Sequence, residues 1–133
     1  MSIQFSAAVR NARLNAIFAT IGAAAKLLLY TGSPPSSCSA SESGTLLATL
    51  TLPSTEENAA SGGSETQANG PWTGVASAAG TAGHFRVMDP TGATCHVQGT
   101  VGQGSGDLSF DNPTFTVGQN VQITSFTLTD GNA

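Results

Sequence analysis

The sequence predicts an all-β domain, a jelly-roll-like β-sandwich of about eight short strands with one N-terminal α-helix. Three observations point there. Only residues 6–21 carry a helical apolar period. The rest of the chain breaks into short runs rich in Thr, Val, Leu and Phe, separated by Gly, Pro, Ser and Asn. Finally, 133 residues suffice for one hydrophobic core and hardly for two. The expected organisation is a helical arm over residues 1–22 followed by a sandwich over residues 23–133.

The helix has a start and a stop. Ser6 is a side-chain cap, and Gly22 can take the positive φ that ends a helix. Val9, Ala12, Ala16 and Ala19 or Thr20 make one stripe, widened by Leu14, Ile17, Phe18 and Ile21, with Arg10, Asn11 and Arg13 opposite. Either this helix closes one side of the core, or it docks on a neighbouring subunit. As a signal peptide it reads badly, since Asn15 and Thr20 interrupt its apolar run, and secretion is not expected.

Lys26 to Thr31 reads as a buried strand, and Gly32-Ser33-Pro34-Pro35-Ser36-Ser37 as loop. Thr45 to Leu52 alternates, with Leu46, Ala48, Leu50 and Leu52 on one face, and Pro53 stops it. The stretch Pro53 to Gly70 reads as a long loop, either solvated or contacting a partner, and holds Glu56, Glu57 and Glu65. A short strand is expected at Pro71 to Val75. The clearest hairpin joins Gly83–Asp89 to Ala93–Gln98 through Pro90-Thr91-Gly92, with Gly92 left-handed. Apolar matching sets Val87 opposite Cys95 and Phe85 opposite Val97. Gly99 to Gly106 is a flexible or bulged connection. Short strands are expected at Asp107–Phe110 and Thr114–Val117, and a last one at Val121–Thr129 bulged near Ser125.

Charge is the unusual feature of the composition. Charged residues make up 9% of the chain, where about 25% is ordinary. A surface of hydroxyls and small apolar groups loses little hydration on contact, so it suits a molecule packed against neighbours. The net charge of −4 argues against nucleic acid, which requires a basic patch. No run approaches the roughly 20 apolar residues of a membrane span. Neither partner is expected.

Residues for chemistry are sparse. Nucleophile-elbow, phosphate-loop and zinc-protease motifs are missing from the sequence. His84 and His96 should share the outer face of the hairpin, where Arg86 disfavours a cation, so solvent or an interface is their expected place. Asp107 and Asp111 read as turn caps, because no dense acidic loop supplies the six to eight oxygens of calcium. Cys38 and Cys95 are open to one disulfide or to two buried thiols, with free thiols favoured. No enzyme activity, metal or cofactor is expected.

Taken in order, the blocks FSAAVRNARLNAIFATIGA, LLLYTGSPPSSCSASESGTLLATLTLP, GTAGHFRVMDPTGATCHVQGTV and ITSFTLTDGNA resemble the cement, or decoration, proteins of tailed bacteriophages. The likeness covers nearly the full length but rests on texture and block order. It implies a jelly-roll domain on the outer surface of the phage head, assembled in the host cytoplasm. There it would bind the major capsid protein, bridge capsomers and stabilise the head. It transfers no site residues. The contact residues expected from the sequence itself are Phe5, Val9, Arg10, Arg13 and Ile17 on the helix and Glu56, Glu57 and Glu65 in the long loop. Self-association is expected, a dimer before a trimer. The competing reading is a tail-associated or receptor-binding sandwich, which predicts exposed aromatics, yet Trp72 and Tyr30 are the only Trp and Tyr.

Overall fold

The computed structural model describes residues 3–130. They form one helix, α1 (Ala7–Ile21), and ten strands: β1 (Lys26–Thr31), β2 (Leu46–Thr51), β3 (Ser64–Thr66), β4 (Trp72–Ala76), β5 (Gly80–Met88), β6 (Cys95–Gln103), β7 (Leu108–Phe110), β8 (Thr114–Phe115), β9 (Asn120–Ile123) and β10 (Thr127–Thr129). The chain is mostly β, and its main sheet is nearly closed. That sheet runs β7-β6-β5-β1-β2-β4-β9, with β8 paired to the start of β5, while β3 and β10 form a separate two-stranded ribbon.

Curling the sheet puts its apolar side chains into one interior. Leu27 and Leu29 from β1, Leu50 from β2, Trp72 from β4, Phe85 and Val87 from β5, and Val121 and Ile123 from β9 share a single cluster. Trp72 is buried against Phe126, with ring centres 5.5 Å apart, and its indole N–H donates to the Ala68 carbonyl at 3.2 Å. Phe126 meets Phe85 edge-on at 5.7 Å. Such aromatic pairs add to the burial of their area.

Helix α1 completes this interior. Ser6 Oγ accepts from the Val9 N–H at 3.3 Å, and the Gly22 N–H closes on the Phe18 carbonyl at 3.0 Å with φ at +102°. The expected apolar stripe holds only in its widening residues. Leu14, Phe18 and Ile21 are the buried residues, whereas Val9, Ala12, Ala16 and Ala19 face outward. Burying three large side chains outweighs burying alanines, because the gain scales with apolar area. The helix therefore packs down on the β-structure along this face.

Three strand expectations change in detail. In β2 a register shift opposite Leu29/Tyr30 turns Leu47 into the core and leaves Leu46 at the surface. The expected last strand divides at residues 124–126: β9 pairs with β4, and β10 leaves the main sheet to pair with β3. Gly99 to Gly106 is not a plain connection either. β6 continues through Gln103, and the chain doubles back to lay β7 parallel beside it. Asp107 holds that return, with Oδ2 accepting from Thr100 N–H at 3.0 Å and Thr100 Oγ1–H at 3.1 Å. Asp107 is a turn cap, as the sequence suggested.

The hairpin forms with Gly92 left-handed at φ +76°, but its register differs from the expected one. Val87 pairs with Val97 and Phe85 with Gly99, and Met88 lies across from Cys95 after a shift between Val87 and Met88. Asp89 explains the longer turn. Its Oδ1 accepts from both Ala93 N–H at 2.9 Å and Thr94 N–H at 3.3 Å, and the Asp89 N–H donates to the Thr94 carbonyl at 2.9 Å. These bonds, Ala93 N–H foremost, also hold the Asp89 carboxyl below its ordinary range. The bulge that follows separates neighbouring side chains. Cys95 joins Leu28, Tyr30 and Met88 on the outer face, and His96 turns toward the helix beside Ile17 and Thr20.

Candidate protein-interaction surface and the buried polar groups behind it

The N-terminal segment brings three exposed apolar side chains close together in sequence. Ile3 is 77% exposed, and Phe5 and Val9 are each 43% exposed. Arg13 stacks over the Phe5 ring, 5.0 Å from its centre, and bridges Asp130 at 3.1 Å. Arg10 Nε donates to the Asp130 carbonyl at 2.7 Å. Ile17 is half-buried against the core. Of the five helix-side candidates, the structure thus puts Phe5, Val9 and Arg13 at the surface. Arg10 and Ile17 are half-covered and serve to seat the helix. Ile3 was not among the candidates, although an apolar residue ahead of a capped helix is a readable signal.

The seat of the helix is polar and specific. Asn11 Oδ1 accepts from Gly63 N–H at 2.9 Å, and Asn15 Oδ1 accepts from Ala60 N–H at 2.8 Å. Gly63 sits at φ +78°, and a β-carbon there would fall 2.1 Å from the Arg10 guanidinium. Only glycine lets the loop pass under the arginine.

Below the helix lies the largest departure from expectation. The Pro53–Gly70 stretch is not structureless: it contains β3, and bridges join Glu57 to Gln67 and Ser61 to Ser64, while Ser54, Thr55, Asn58, Ala59, Ser61 and Gly62 stay exposed. Glu56, Glu57 and Glu65, expected at an interface or in solvent, are 5%, 9% and 3% exposed. Their carboxyls turn inward because this segment folds back under α1. They line a cavity of about 300 Å³ with Asn15, Phe18 and Ala19. Glu56 has a partner, Oε1 accepting from Ala25 N–H at 3.2 Å. Both oxygens of Glu57 and Oε1 of Glu65 are buried without one. Burial, reinforced by the neighbouring Glu65 and Glu56, pushes the Glu57 carboxyl up to about 8. Burial also raises Glu65. The Glu57 carboxyl is thereby held mostly in its neutral form near pH 7. The signal was faint in sequence, because three glutamates in a Ser/Gly-rich stretch resemble any solvated loop.

A second polar group lies on the opposite side of the molecule, where residues 32–45 cover the outer face of β1, β5 and β6. Arg86 is 3% exposed; its Nη2 donates to the carbonyls of Cys38 at 2.6 Å and Ala40 at 3.0 Å, and its Nε to Cys95 Sγ at 3.3 Å. Tyr30 O–H donates to Glu42, and Gln98 donates to the Pro35 carbonyl at 2.7 Å. His84, expected at solvent or an interface, is fully buried. It stacks on Tyr30 with 5.1 Å between ring centres and shares a hydrogen bond at 2.9 Å with the Gly32 carbonyl. A β-carbon at Gly83 would lie 2.3 Å from that carbonyl, so glycine is what admits the loop so close. The expected face of His84, Arg86 and His96 keeps His84 and Arg86, and the bulge puts Cys95 there in place of His96.

Among the described residues, no three of His, Cys, Asp and Glu are grouped so as to hold a metal ion. Comparison of the chain with family models, with curated proteins and with solved structures gives no match.

Proposed function

We propose that this chain is a structural protein of a tailed-phage virion, a cement or decoration protein that binds the outer surface of the major capsid protein shell. In this reading it stabilises the head by bridging capsomers, and it does no chemistry of its own. The curled sheet is then a jelly-roll-like sandwich whose two halves, β1-β2-β4-β9 and β5-β6-β7, enclose one core.

One observation carries the reading. The chain has four basic and eight acidic residues, and Arg86, Glu56, Glu57 and Glu65 are buried. The surface is therefore even poorer in ions than the composition. Removing water from hydroxyls and small apolar groups costs far less than stripping ions, so broad contact is cheap. Ile3, Phe5 and Val9 supply apolar anchors on a helix that is itself held firmly, which limits the entropy lost on docking. Association of two copies about a two-fold axis is part of the proposal.

Because Leu14, Phe18 and Ile21 belong to the core, deleting the helix would open the fold, and surface substitutions make the sharper test. Purified chain should co-sediment with heads that lack it, saturating at hundreds of copies per head. Ile3→Glu with Val9→Glu should weaken that binding by roughly tenfold or more, as expected for losing two partly buried apolar contacts. The far-ultraviolet circular dichroism should stay unchanged. Saturation at a few to a few dozen copies would favour the tail-associated reading, and no binding to heads or tails would end both.

A further inference from the structure

The two cysteines are 57 positions apart in sequence, yet the fold delivers them to one guanidinium. Arg86 holds Cys95 by its sulfur and Cys38 by its backbone carbonyl. Burial first, and the neighbouring Cys95 thiol next, lift the Cys38 thiol to about 11. Both are free thiols, and both side chains are half-buried rather than sealed off. Cys38 rides on the loop that covers the outer face of β1, β5 and β6, and Cys95 opens β6 beneath it.

We infer that Cys38 and Cys95 are a modification site, an intramolecular disulfide that closes under oxidising conditions and fastens the 32–45 loop to the sheet. The inference does not depend on the virion reading. The oxidant is a small-molecule disulfide such as oxidised glutathione. One cysteine loses its proton, and its sulfur attacks the oxidant, forming a mixed disulfide and releasing one glutathione thiolate. The second cysteine, also deprotonated, attacks the protein-bound sulfur of that mixed disulfide and releases the second thiolate. Two protein thiols are oxidised, one glutathione disulfide is reduced, and the two protons end on the two released thiolates.

Two physical consequences separate this site from a redox catalyst. A thiol lifted to about 11 presents little thiolate at neutral pH, so exchange is slow. Once closed, however, the bond spans a long stretch of chain, and constraining that loop in the unfolded state stabilises the native one. The fold supplies the proximity, so the same bond should not form preferentially when the chain is unfolded.

The test is equilibration of the reduced, folded protein with a graded ratio of oxidised to reduced glutathione, followed by acid quench, alkylation and intact-mass and peptide analysis. The expected product loses two hydrogens, takes no alkyl group and no glutathione, and yields a linked peptide pair containing Cys38 and Cys95. Its thermal midpoint should rise over that of the reduced form, while Cys38→Ser and Cys95→Ser show no such rise. In denaturing urea the same glutathione ratio should yield mainly open or mixed-disulfide chains. Finding both cysteines alkylated in the folded protein at oxidising ratios, or only glutathione adducts or intermolecular dimers, would overturn the inference. So would closure as ready in urea as in buffer. The mass readout needs no variant, so a serine variant that misfolds leaves the test intact.

Discussion

Raising the pH from about 5 to about 9 should destabilise this protein, and Glu57→Gln should remove most of the effect. The native state holds the Glu57 carboxyl at about 8 against an ordinary 4.5. Between those values the unfolded chain has released a proton that the native chain still binds, so unfolding becomes easier as pH rises. The loss is absent below about pH 4.5, accumulates with pH, and is complete above about 8. Among the described residues no cation is a cause of the shift. The groups facing Glu57 are the carboxyls of Glu56 and Glu65, the helix side contributes Asn15, Phe18 and Ala19, and Arg10 and Arg13 are turned to Asp130.

The magnitude follows from the shift, reduced for the water that a cavity of this size admits: on the order of 3 kcal/mol. Glu65, also raised by burial, acts in the same direction. Asp89 is held low and acts the other way, but only once pH falls into its own range. Urea denaturation followed by circular dichroism at pH 5, 7 and 9 measures this directly. Glu57→Gln copies the shape of the neutral acid and should flatten the profile, leaving the variant more stable than the parent at pH 9. A parent profile that is flat or rises over this window would show that the carboxyl is not held in a dry site.

How much of this was legible in the sequence depends on what each residue had to compete with. The helix and its caps were readable because Ser6 and Gly22 act within one turn of backbone. Its apolar stripe was broader than the buried face: Leu14, Phe18 and Ile21 belong to both, and only contact with the sheet excludes Val9, Ala12, Ala16 and Ala19. β1 was readable in full, a continuous apolar run with a turn after it. The hairpin was recognised from Gly92, but its register was not, since Asp89 caps two amides and lengthens the turn at the cost of one apolar match. That one shift moved Cys95 next to Arg86 and His96 toward the helix, so pattern alone left the two cysteines open between a disulfide and free thiols. The inward turn of Glu56, Glu57 and Glu65 was illegible for a different reason. Burying unpaired carboxyls opposes the ordinary preference of the residue, and only the tertiary fit of residues 53–70 beneath α1 imposes it.

Arg86 is the residue whose loss should most disturb the opposite side of the molecule. Arg86→Ala should lower the stability by about 2–4 kcal/mol, because it removes a buried side chain and strips the Cys38 and Ala40 carbonyls of their donor. The mechanism is distinct from a simple cavity. A guanidinium offers donors in a flat fork that reaches two carbonyls and a sulfur together, and a lysine ammonium cannot match that geometry. Arg86→Lys should therefore recover only part of the loss, although it keeps the charge. The local consequence is specific. With the fork gone, the 32–45 loop is tied mainly by Tyr30 to Glu42, by Gln98 to Pro35, by His84 to Gly32 and by the Thr31–Thr45 pair. Limited proteolysis should then cut between residues 33 and 41 while the sheet stays resistant, and Cys38 should alkylate faster than in the parent under native conditions. If the variant keeps both the parent denaturation midpoint and the parent alkylation rate, the loop is held by its other contacts and Arg86 does not fasten it.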